Sequence, residues 1–265
     1  MSDSRQGRLG HKPRKRFGQN FLRDQSVIDA IAQAINPQPG DHLVEIGPGE
    51  GALTQALIST ECAYDAIELD RDLTAVLLAS FSIYSNFALH SADALNFDFS
   101  QLRVSEEKLR VVGNLPYNIS TPLIFKLLEN IDIIRDMHFM LQLEVVQRLS
   151  AAPGSKHWGR VGVMAQYLCQ VTHLIDVPPE SFYPAPKVQS AVVSLRPHHS
   201  SPYKACDPVA LRTVTRHAFA QRRKTLRNNF KGIIDDSALE ALGIDPNARA
   251  ESLALADFVS LASLM

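Results

Sequence analysis

The tetrapeptide Asn114-Leu-Pro-Tyr117 holds the residues of this sequence that are best suited to chemistry. The exocyclic amine of adenine is a poor nucleophile because its lone pair is delocalised into the ring. The side-chain carbonyl of Asn114 and the backbone carbonyl of Leu115 can each accept one N–H of that amine, which favours a pyramidal nitrogen. Pro116 biases Leu115 towards an extended conformation, and Tyr117 offers a ring for stacking the base. The tetrapeptide predicts methyl transfer to adenine, in which positioning dominates and no metal is needed.

Phe182 is a second aromatic candidate, in a loop that Pro184 and Pro186 make stiff. Opposite Tyr117, its ring could clamp an extruded base. The alternative is that Phe182 packs under the proline loop as core. The tetrapeptide Asn114-Leu-Pro-Tyr117 likewise has a structural interpretation, in which it is only the proline-containing loop that follows a strand.

A glycine-rich turn lies between a predicted strand and a predicted helix, at Gly47, Gly49 and Gly51. Glycines allow a tight turn and a close approach to a ligand. Their spacing does not match the G-x-G-x-x-G pattern, which disfavours a dinucleotide. Alone, the turn fits dinucleotide enzymes, methyltransferases and structural turns.

Acidic residues follow the next two predicted strands. Glu68 could accept hydrogen bonds from ribose hydroxyls, and Asp93 could accept one from the amino group of an adenine moiety. Ligands of parallel sheets bind at the carboxyl ends of the strands, so the two acids and the glycine turn predict one nucleoside pocket. Asn20 and Leu22 are predicted to form a lid over its methionine end. The alternative for these two is a polar loop packed by its aromatic residues.

The elements that position these residues alternate between strands and helices. Short apolar runs predict strands, and apolar residues at helical spacing predict helices. Ser120 is predicted to cap the helix after the tetrapeptide. The predicted strands are 42–46, 63–69, 109–113, 137–143, 171–177 and 190–195. The alternation indicates an α/β fold, with a mainly parallel sheet covered on both faces.

The chain is predicted to have three parts: a flexible basic arm at 1–16, a catalytic domain at 17–200 and a helical domain at 201–265. In the last part, Asp207 is expected to cap a helix. One helical face is predicted to carry Phe219, Leu226, Phe230 and Ile233.

Composition excludes several classes of protein. Hydrophobic residues make up 45% and charged residues 21% of the chain, which argues against general disorder. There is no apolar run of about 18 residues, so no membrane span is expected. The three cysteines are far apart in the sequence and match neither a metal site nor a disulfide framework. We expect a cytoplasmic monomer without a metal or a membrane partner.

The charge is unevenly distributed, although the formal net charge is only −1. Segments 5–16 and 208–231 carry many basic residues and no acid. Such patches bind phosphates, and the second predicts RNA binding. The residues assigned to this role are Arg222, Arg223, Lys224 and Arg227. The alternative is that both segments are ordinary solvated faces.

Together the motifs resemble the ribosomal RNA adenine N6,N6-dimethyltransferases, and specifically the branch that acts on the small subunit in bacteria. The matching stretches span most of the chain in the same order. They are Phe17–Leu22, Val44–Thr54, Ile67–Asp70, Asp93–Leu95, Asn114–Asn118, Phe182–Ser190 and Arg222–Arg227.

The resemblance implies a Rossmann-like methyltransferase domain and a small helical C-terminal domain. It implies dimethylation of two adjacent adenosines in the 3′-terminal hairpin of small-subunit (16S) rRNA, late in assembly of the 30S particle. It also implies that S-adenosylmethionine is bound by Asn20, Leu22, Gly47, Glu68, Asp93 and Asn114.

Three alternatives remain at this stage. Relatives of this family methylate large-subunit rRNA, although Arg222–Arg227 and Gly243–Pro246 are typical of the small-subunit branch. An adenine methyltransferase acting on DNA shares a similar tetrapeptide but usually carries a target-recognition domain. An assembly or transcription factor on an inactive methyltransferase fold could have lost Glu68 or Asn114, yet this chain has both.

Overall fold

The computed structural model describes residues 19–58, 61–103 and 106–265, so the predicted basic arm at 1–16 lies outside the described residues. The chain forms two compact units, and the division falls within a helix and a strand near residues 147 and 172. The boundary predicted from the sequence lies near residue 200, so residues 147–171 are not part of the predicted C-terminal domain. The units are Met1–Val146 with Thr172–Arg196, and Gln147–Val171 with Pro197–Met265.

The first unit is built on a mixed sheet, which confirms the α/β fold class. Its strands are β2 (His42–Ile46), β3 (Ala63–Glu68), β4 (Phe87–Ser91), β5 (Leu109–Asn114), β6 (Ile134–Gln142), β7 (Cys169–Val177) and β9 (Ser190–Pro197). Their order is β4-β3-β2-β5-β6-β9-β7. Pairs from β4 to β6 are parallel, and β9 is antiparallel to β6. The order reverses between β2 and β5, and such a switch point opens a crevice at the carboxyl ends of the strands.

A separate two-stranded sheet lies in the same unit, formed by β1 (Phe21–Leu22) and β8 (Phe182–Tyr183). The two strands are antiparallel, and Leu22 is the partner of Phe182. The pairing therefore joins the segment that was predicted to be a lid to the proline loop.

The helices of this unit are α1 (Gln25–Ile35), α2 (Ala52–Leu57), α3 (Arg71–Phe81), α4 (Ser120–Glu129) and α5 (Leu143–Leu149). The first of them begins where Asp24 accepts a hydrogen bond from the backbone N–H of Ser26, at 3.0 Å. It buries Ile28, Ile31 and Ile35 at helical spacing, and it ends at Asn36 in a left-handed conformation. Capping and an apolar stripe thus set its limits.

The prediction that Ser120 caps the helix after the tetrapeptide is wrong. A turn closed by the Ile119 N–H on the Pro116 carbonyl leads into α4, so Ser120 is already its first helical residue and Ile119 precedes it. The Ser120 hydroxyl instead donates to the carbonyl of Tyr117, at 3.1 Å.

The second unit packs short helices around Trp158, whose Nε1 donates to the carbonyl of Leu253 at 3.0 Å. The predicted cap is confirmed, because Asp207 accepts from Val209 N–H at 2.9 Å. Among the described residues of the chain, no helix has the length and apolar character needed to cross a membrane. The helices are α6 (Arg160–Leu168), α7 (Pro208–Ala218), α8 (Leu226–Asn229), α9 (Asp236–Ala241) and α10 (Leu255–Ala262).

The helical face predicted for Phe219, Leu226, Phe230 and Ile233 is interrupted in the structure. The chain turns between α7 and α8, and Asn229 Nδ2 donates to the carbonyl of Ala218, the last residue of α7, at 2.7 Å. Such a bond satisfies a carbonyl that has no partner within the helix. Phe230 and Ile233 both lie beyond the end of α8, and Ile233 is 43% exposed, whereas Phe230 is fully buried.

Candidate active site

A cavity of about 150 Å³ lies at the carboxyl ends of β2, β3 and β5, at the switch point of the sheet. It gathers eight of the predicted site residues, which come from separate stretches of the chain. These are Asn20, Leu22, Gly47, Glu68, Asp93, Asn114, Leu115 and Tyr117.

The glycine turn forms one wall of the cavity. Gly47, Gly49 and Gly51 all have positive φ angles, of 66°, 61° and 80°, which other residues adopt only with strain. A Cβ on Gly49 would lie 3.1 Å from the ring of Phe21. The turn therefore requires glycine both for its conformation and for the close approach of β1.

Glu68 ends β3 with a side chain that is mostly buried. Its Oε1 accepts from the Asp70 N–H at 2.8 Å, and its Oε2 accepts from the Gly49 N–H at 3.2 Å. Burial raises the pKa of this carboxyl, although the backbone hydrogen bonds act in the opposite direction. Each oxygen has a second lone pair, so the fixed carboxylate can still accept hydrogen bonds from a pair of hydroxyls.

Asp93 is held by the turn that follows β4. Its Oδ1 accepts from the Leu95 N–H at 2.9 Å, and its Oδ2 accepts from Asn96 Nδ2 at 2.7 Å. The side chain is half-buried at the cavity. Local bonds therefore fix a carboxylate where it can accept from an amino group.

Asn114 is the last residue of β5, and its carboxamide has a defined orientation. Its Nδ2 donates to the backbone carbonyl of Asn20 at 2.9 Å. Because the amide nitrogen is committed to this bond, Oδ1 is the end of the side chain that remains an acceptor. The carbonyl of Asn20 thus selects the orientation that the proposed chemistry requires.

The two residues of the tetrapeptide that flank Pro116 are held more firmly than the sequence suggested. Leu115 is buried, and its N–H donates to the Met140 carbonyl at 3.2 Å. The Tyr117 hydroxyl shares a 2.7 Å hydrogen bond with Ser190 Oγ. Burial raises the Tyr117 pKa, so the phenol stays neutral near pH 7.

Phe182 is not among the residues that line this cavity. It is 5% exposed and belongs to the apolar core beneath β1, beside Leu22. This burial fits the core alternative, and a stacking role opposite Tyr117 stays a prediction. The physical reason is the pairing of β1 with β8, which turns the ring inward where it supports the segment carrying Asn20.

Glu45 is a cavity residue to which the sequence analysis assigned no role. It is 1% exposed, and its Oε2 accepts from Thr54 Oγ1 at 2.5 Å and from the Tyr64 hydroxyl at 2.7 Å. Burial raises the pKa of Glu45 to about 7, despite those hydrogen bonds. The available signal was a carboxylate inside an otherwise apolar strand, directly before the glycine turn.

The predicted RNA-binding residues lie in the second unit and are exposed. Two of them are paired with acids that lie outside segment 208–231: Arg222 Nε lies 3.1 Å from Glu251 Oε2, and Arg227 Nε lies 2.6 Å from Asp236 Oδ2. Although segment 208–231 itself contains no acid, acids from outside the segment therefore lie beside its arginines in the folded protein. The other two residues of the patch, Arg223 and Lys224, are exposed beside these pairs.

The side chains at the cavity fit a nucleoside that carries a positive charge. Glu68 and Asp93 provide anionic acceptors, Asn114 provides a neutral one, and apolar residues complete the lining. Within the described parts of the chain, no group of three or more His, Cys, Asp and Glu side chains is arranged to hold a metal ion.

Comparison with known proteins gives a match along almost the whole chain. The sequence model of the family described as ribosomal RNA adenine dimethylase matches residues 10–265. A protein of Saccharophagus degradans named ribosomal RNA small subunit methyltransferase A is 57% identical over 256 residues, which cover 97% of this chain and 96% of that protein. The protein of the same name from Pseudomonas putida is 56% identical over 252 residues, covering 95% and 94% of the two chains.

A solved structure has a similar fold. The crystal structure of a dimethyladenosine transferase from Plasmodium falciparum aligns with a TM-score of 0.78 and 25% sequence identity. The alignment covers 91% of this chain and 95% of that one.

Proposed function

Because the chain belongs to the ribosomal RNA adenine dimethylase family, we propose that it dimethylates the N6 amines of two adjacent adenosines in the 3′-terminal hairpin of small-subunit (16S) rRNA. Its relatives named ribosomal RNA small subunit methyltransferase A support the choice of subunit. One observation carries the proposal. The carboxamide of Asn114, oriented by the Asn20 carbonyl, lies at the same cavity as Gly47 and Glu68.

The methyl donor in this proposal is S-adenosylmethionine, which supplies an electrophilic methyl group on a sulfonium. Glu68 accepts hydrogen bonds from the ribose hydroxyls, and Asp93 accepts one from the adenine amino group. The glycine turn at Gly47 lets the backbone approach the ligand closely. Asn20 and Leu22 border the methionine end and keep water out.

The target amine is activated by carbonyl oxygens and not by a strong base. Asn114 Oδ1 and the Leu115 carbonyl each accept one N–H, which draws the nitrogen towards a pyramidal geometry. Tyr117 stacks against the base, and its bond to Ser190 holds the ring in place. Prepositioned acceptors of this kind need no rearrangement during the reaction, and the alkylated amine can then release its proton to water.

The RNA partner in this proposal is small-subunit rRNA within the assembling 30S particle, bound late in assembly by a cytoplasmic monomer without a metal. Arg222, Arg223, Lys224 and Arg227 contact its phosphates. Because Arg223 and Lys224 are exposed beside arginines already paired with acids, we expect these two to contribute most. Phosphate contacts make such binding sensitive to salt.

The decisive experiment is to incubate unmethylated small subunits with radiolabelled S-adenosylmethionine and to analyse the nucleosides after digestion. We expect N6,N6-dimethyladenosine at two adjacent positions of the 3′-terminal hairpin. Asn114→Ala should lower the single-turnover rate about 10²- to 10³-fold, because one acceptor for the amine is lost.

Asn130→Ala provides a matched control. Its amide also donates to a backbone carbonyl, that of Lys126 at 2.9 Å, but at the far end of α4. The Asn130→Ala variant should methylate small subunits at the wild-type rate. Parallel incubations use large subunits and DNA as substrates. Label that appeared in one of these and not in small subunits, or an Asn114→Ala rate equal to that of wild type, would contradict the proposal.

A further inference from the structure

The segment 19–23, of which residues 19–22 line the cavity, is tied to the carboxyl ends of three neighbouring strands. Each tie joins one residue of the segment to one residue at or just beyond β3, β5 or β2. The bonds are Gln19 Nε2 to Asp70 Oδ2 at 3.1 Å, Asn114 Nδ2 to the Asn20 carbonyl at 2.9 Å, and Arg23 Nη2 to Glu50 Oε2 at 3.2 Å.

The tie between Arg23 and Glu50 is only half formed. The Glu50 side chain is 7% exposed, in the glycine turn beside the cavity. One bond joins the pair, and both Arg23 Nε and Glu50 Oε1 are buried without a hydrogen-bond partner in the part of the chain that the structure describes. These two atoms are the ones that a side-on, two-bond pair between guanidinium and carboxylate would join in addition.

We propose that Arg23 and Glu50 are positioning residues, which close the segment 19–23 over the bound methyl donor by passing from one hydrogen bond to a side-on pair. The inference rests on the proposed function, because closure requires a ligand in the cavity. Buried groups without partners are unfavourable, so forming the second bond drives the segment towards the closed position.

The surroundings of the pair favour this movement. The Arg23 guanidinium lies over the ring of Tyr183, 4.7 Å from its centre, so the ring supports the charge from one side. The ring of Phe21 already packs against Gly49, next to Glu50. The pair and this ring contact therefore both hold the segment 19–23 against the glycine turn.

Closure of the segment 19–23 should also affect how firmly the target amine is held. The same segment supplies the Asn20 carbonyl that orients the Asn114 carboxamide. A loose segment should therefore release the methyl donor faster and also hold Asn114 less firmly. Binding of RNA in the absence of the methyl donor should not depend on the pair.

Arg23→Lys tests the closure selectively. A lysine keeps the charge and a single bond to Glu50 but cannot form the side-on pair. We expect S-adenosylmethionine to dissociate about tenfold faster, since the lost bond is between charged groups, and single-turnover methylation to slow. The melting temperature of the free protein should be unchanged. Dissociation is measured by chasing labelled S-adenosylmethionine, without RNA.

Arg103→Lys is the matched control, because Arg103 Nη2 makes a single bond to Glu106 Oε2, at 3.3 Å, away from the cavity. S-adenosylmethionine should dissociate from this variant at the wild-type rate. Glu50→Gln, which removes the ion pair, should accelerate dissociation as Arg23→Lys does.

Two results would overturn the inference: a wild-type dissociation rate in both the Arg23 and the Glu50 variant, or equal loss of melting temperature with and without S-adenosylmethionine. If wild-type protein bound the donor but did not methylate small subunits, the proposed function would fail. The dissociation rates would still decide whether the segment closes.

Discussion

The two ends of the parallel sheet bury charge in opposite ways. At the amino end, Arg110 donates to both oxygens of Asp136 at 3.1 Å and to Asp41 Oδ2 at 2.6 Å, and all three side chains are buried. At the carboxyl end, Glu45 and Glu68 accept hydrogen bonds from hydroxyls and backbone N–H groups, which carry no charge.

The pKa shifts of the buried groups differ between the two ends of the sheet. Burial by itself would raise the pKa of Asp136, but its hydrogen bonds with His138 and Arg110 lower it. Burial would likewise lower the pKa of Arg110, but its bonds to Asp136 and Asp41 raise it. Burial prevails at the other end, where the pKa of Glu68 is raised and that of Glu45 reaches about 7. The amino end is therefore neutralised within the protein, whereas the carboxyl end has carboxylates that a cationic ligand could still neutralise.

The largest expected effect is on stability at the amino end. Arg110→Met removes the buried cation that Asp41 and Asp136 share, leaves Asp41 with the half-exposed Arg135 as its remaining arginine partner, and should lower the free energy of unfolding by about 3–5 kcal/mol. Urea denaturation measures this loss. In the control Arg135→Met, a half-exposed partner of the same Asp41 is removed, and the loss should stay within about 1 kcal/mol. Equal losses in the two variants would remove the contrast between the ends.

A smaller effect is expected at Glu45, as a dependence of the free energy of unfolding on pH. Its pKa is about 7 in the folded protein against 4.5 for the ordinary group, so the folded state binds more protons between these values. This contribution to stability is present below pH 4.5 and is lost as pH rises through 7. It amounts to on the order of 3 kcal/mol.

Glu45→Gln should abolish that contribution to the slope of unfolding free energy against pH between 4.5 and 7. Urea denaturation at a series of pH values gives the slope for both proteins. A wild-type slope in the variant would mean that folding does not raise the pKa of Glu45.

The smallest expected effect concerns Glu68. Glu68→Ala should weaken S-adenosylmethionine binding about 10- to 100-fold, because hydrogen bonds to a charged acceptor are lost, and should affect unfolding far less than Arg110→Met. Calorimetry measures the affinity. Asp98→Asn is the control, since it changes an exposed carboxylate outside the cavity while keeping an acceptor that can cap the short 3-10 helix Phe99–Leu102. Unchanged affinity in Glu68→Ala would exclude it from the ribose site.

Much of the site was predictable because its signals are local. A glycine turn after a buried strand and an acid after each of the next two strands specify positions at one sheet edge, since parallel strands end on the same side. Gly47, Glu68, Asp93 and Asn114 accordingly meet at one cavity. Residues whose role depends on distant partners were not predictable in this way.

By itself, the sequence determined the alternation of strands and helices, the glycine turn and the tetrapeptide, because these follow from spacing along a few residues. Only the tertiary structure decided that Phe182 points into the core, that Glu251 neutralises Arg222, and that the Asn20 carbonyl orients Asn114. Each depends on residues far apart in the chain that meet only when the backbone packs, and no local pattern encodes that meeting.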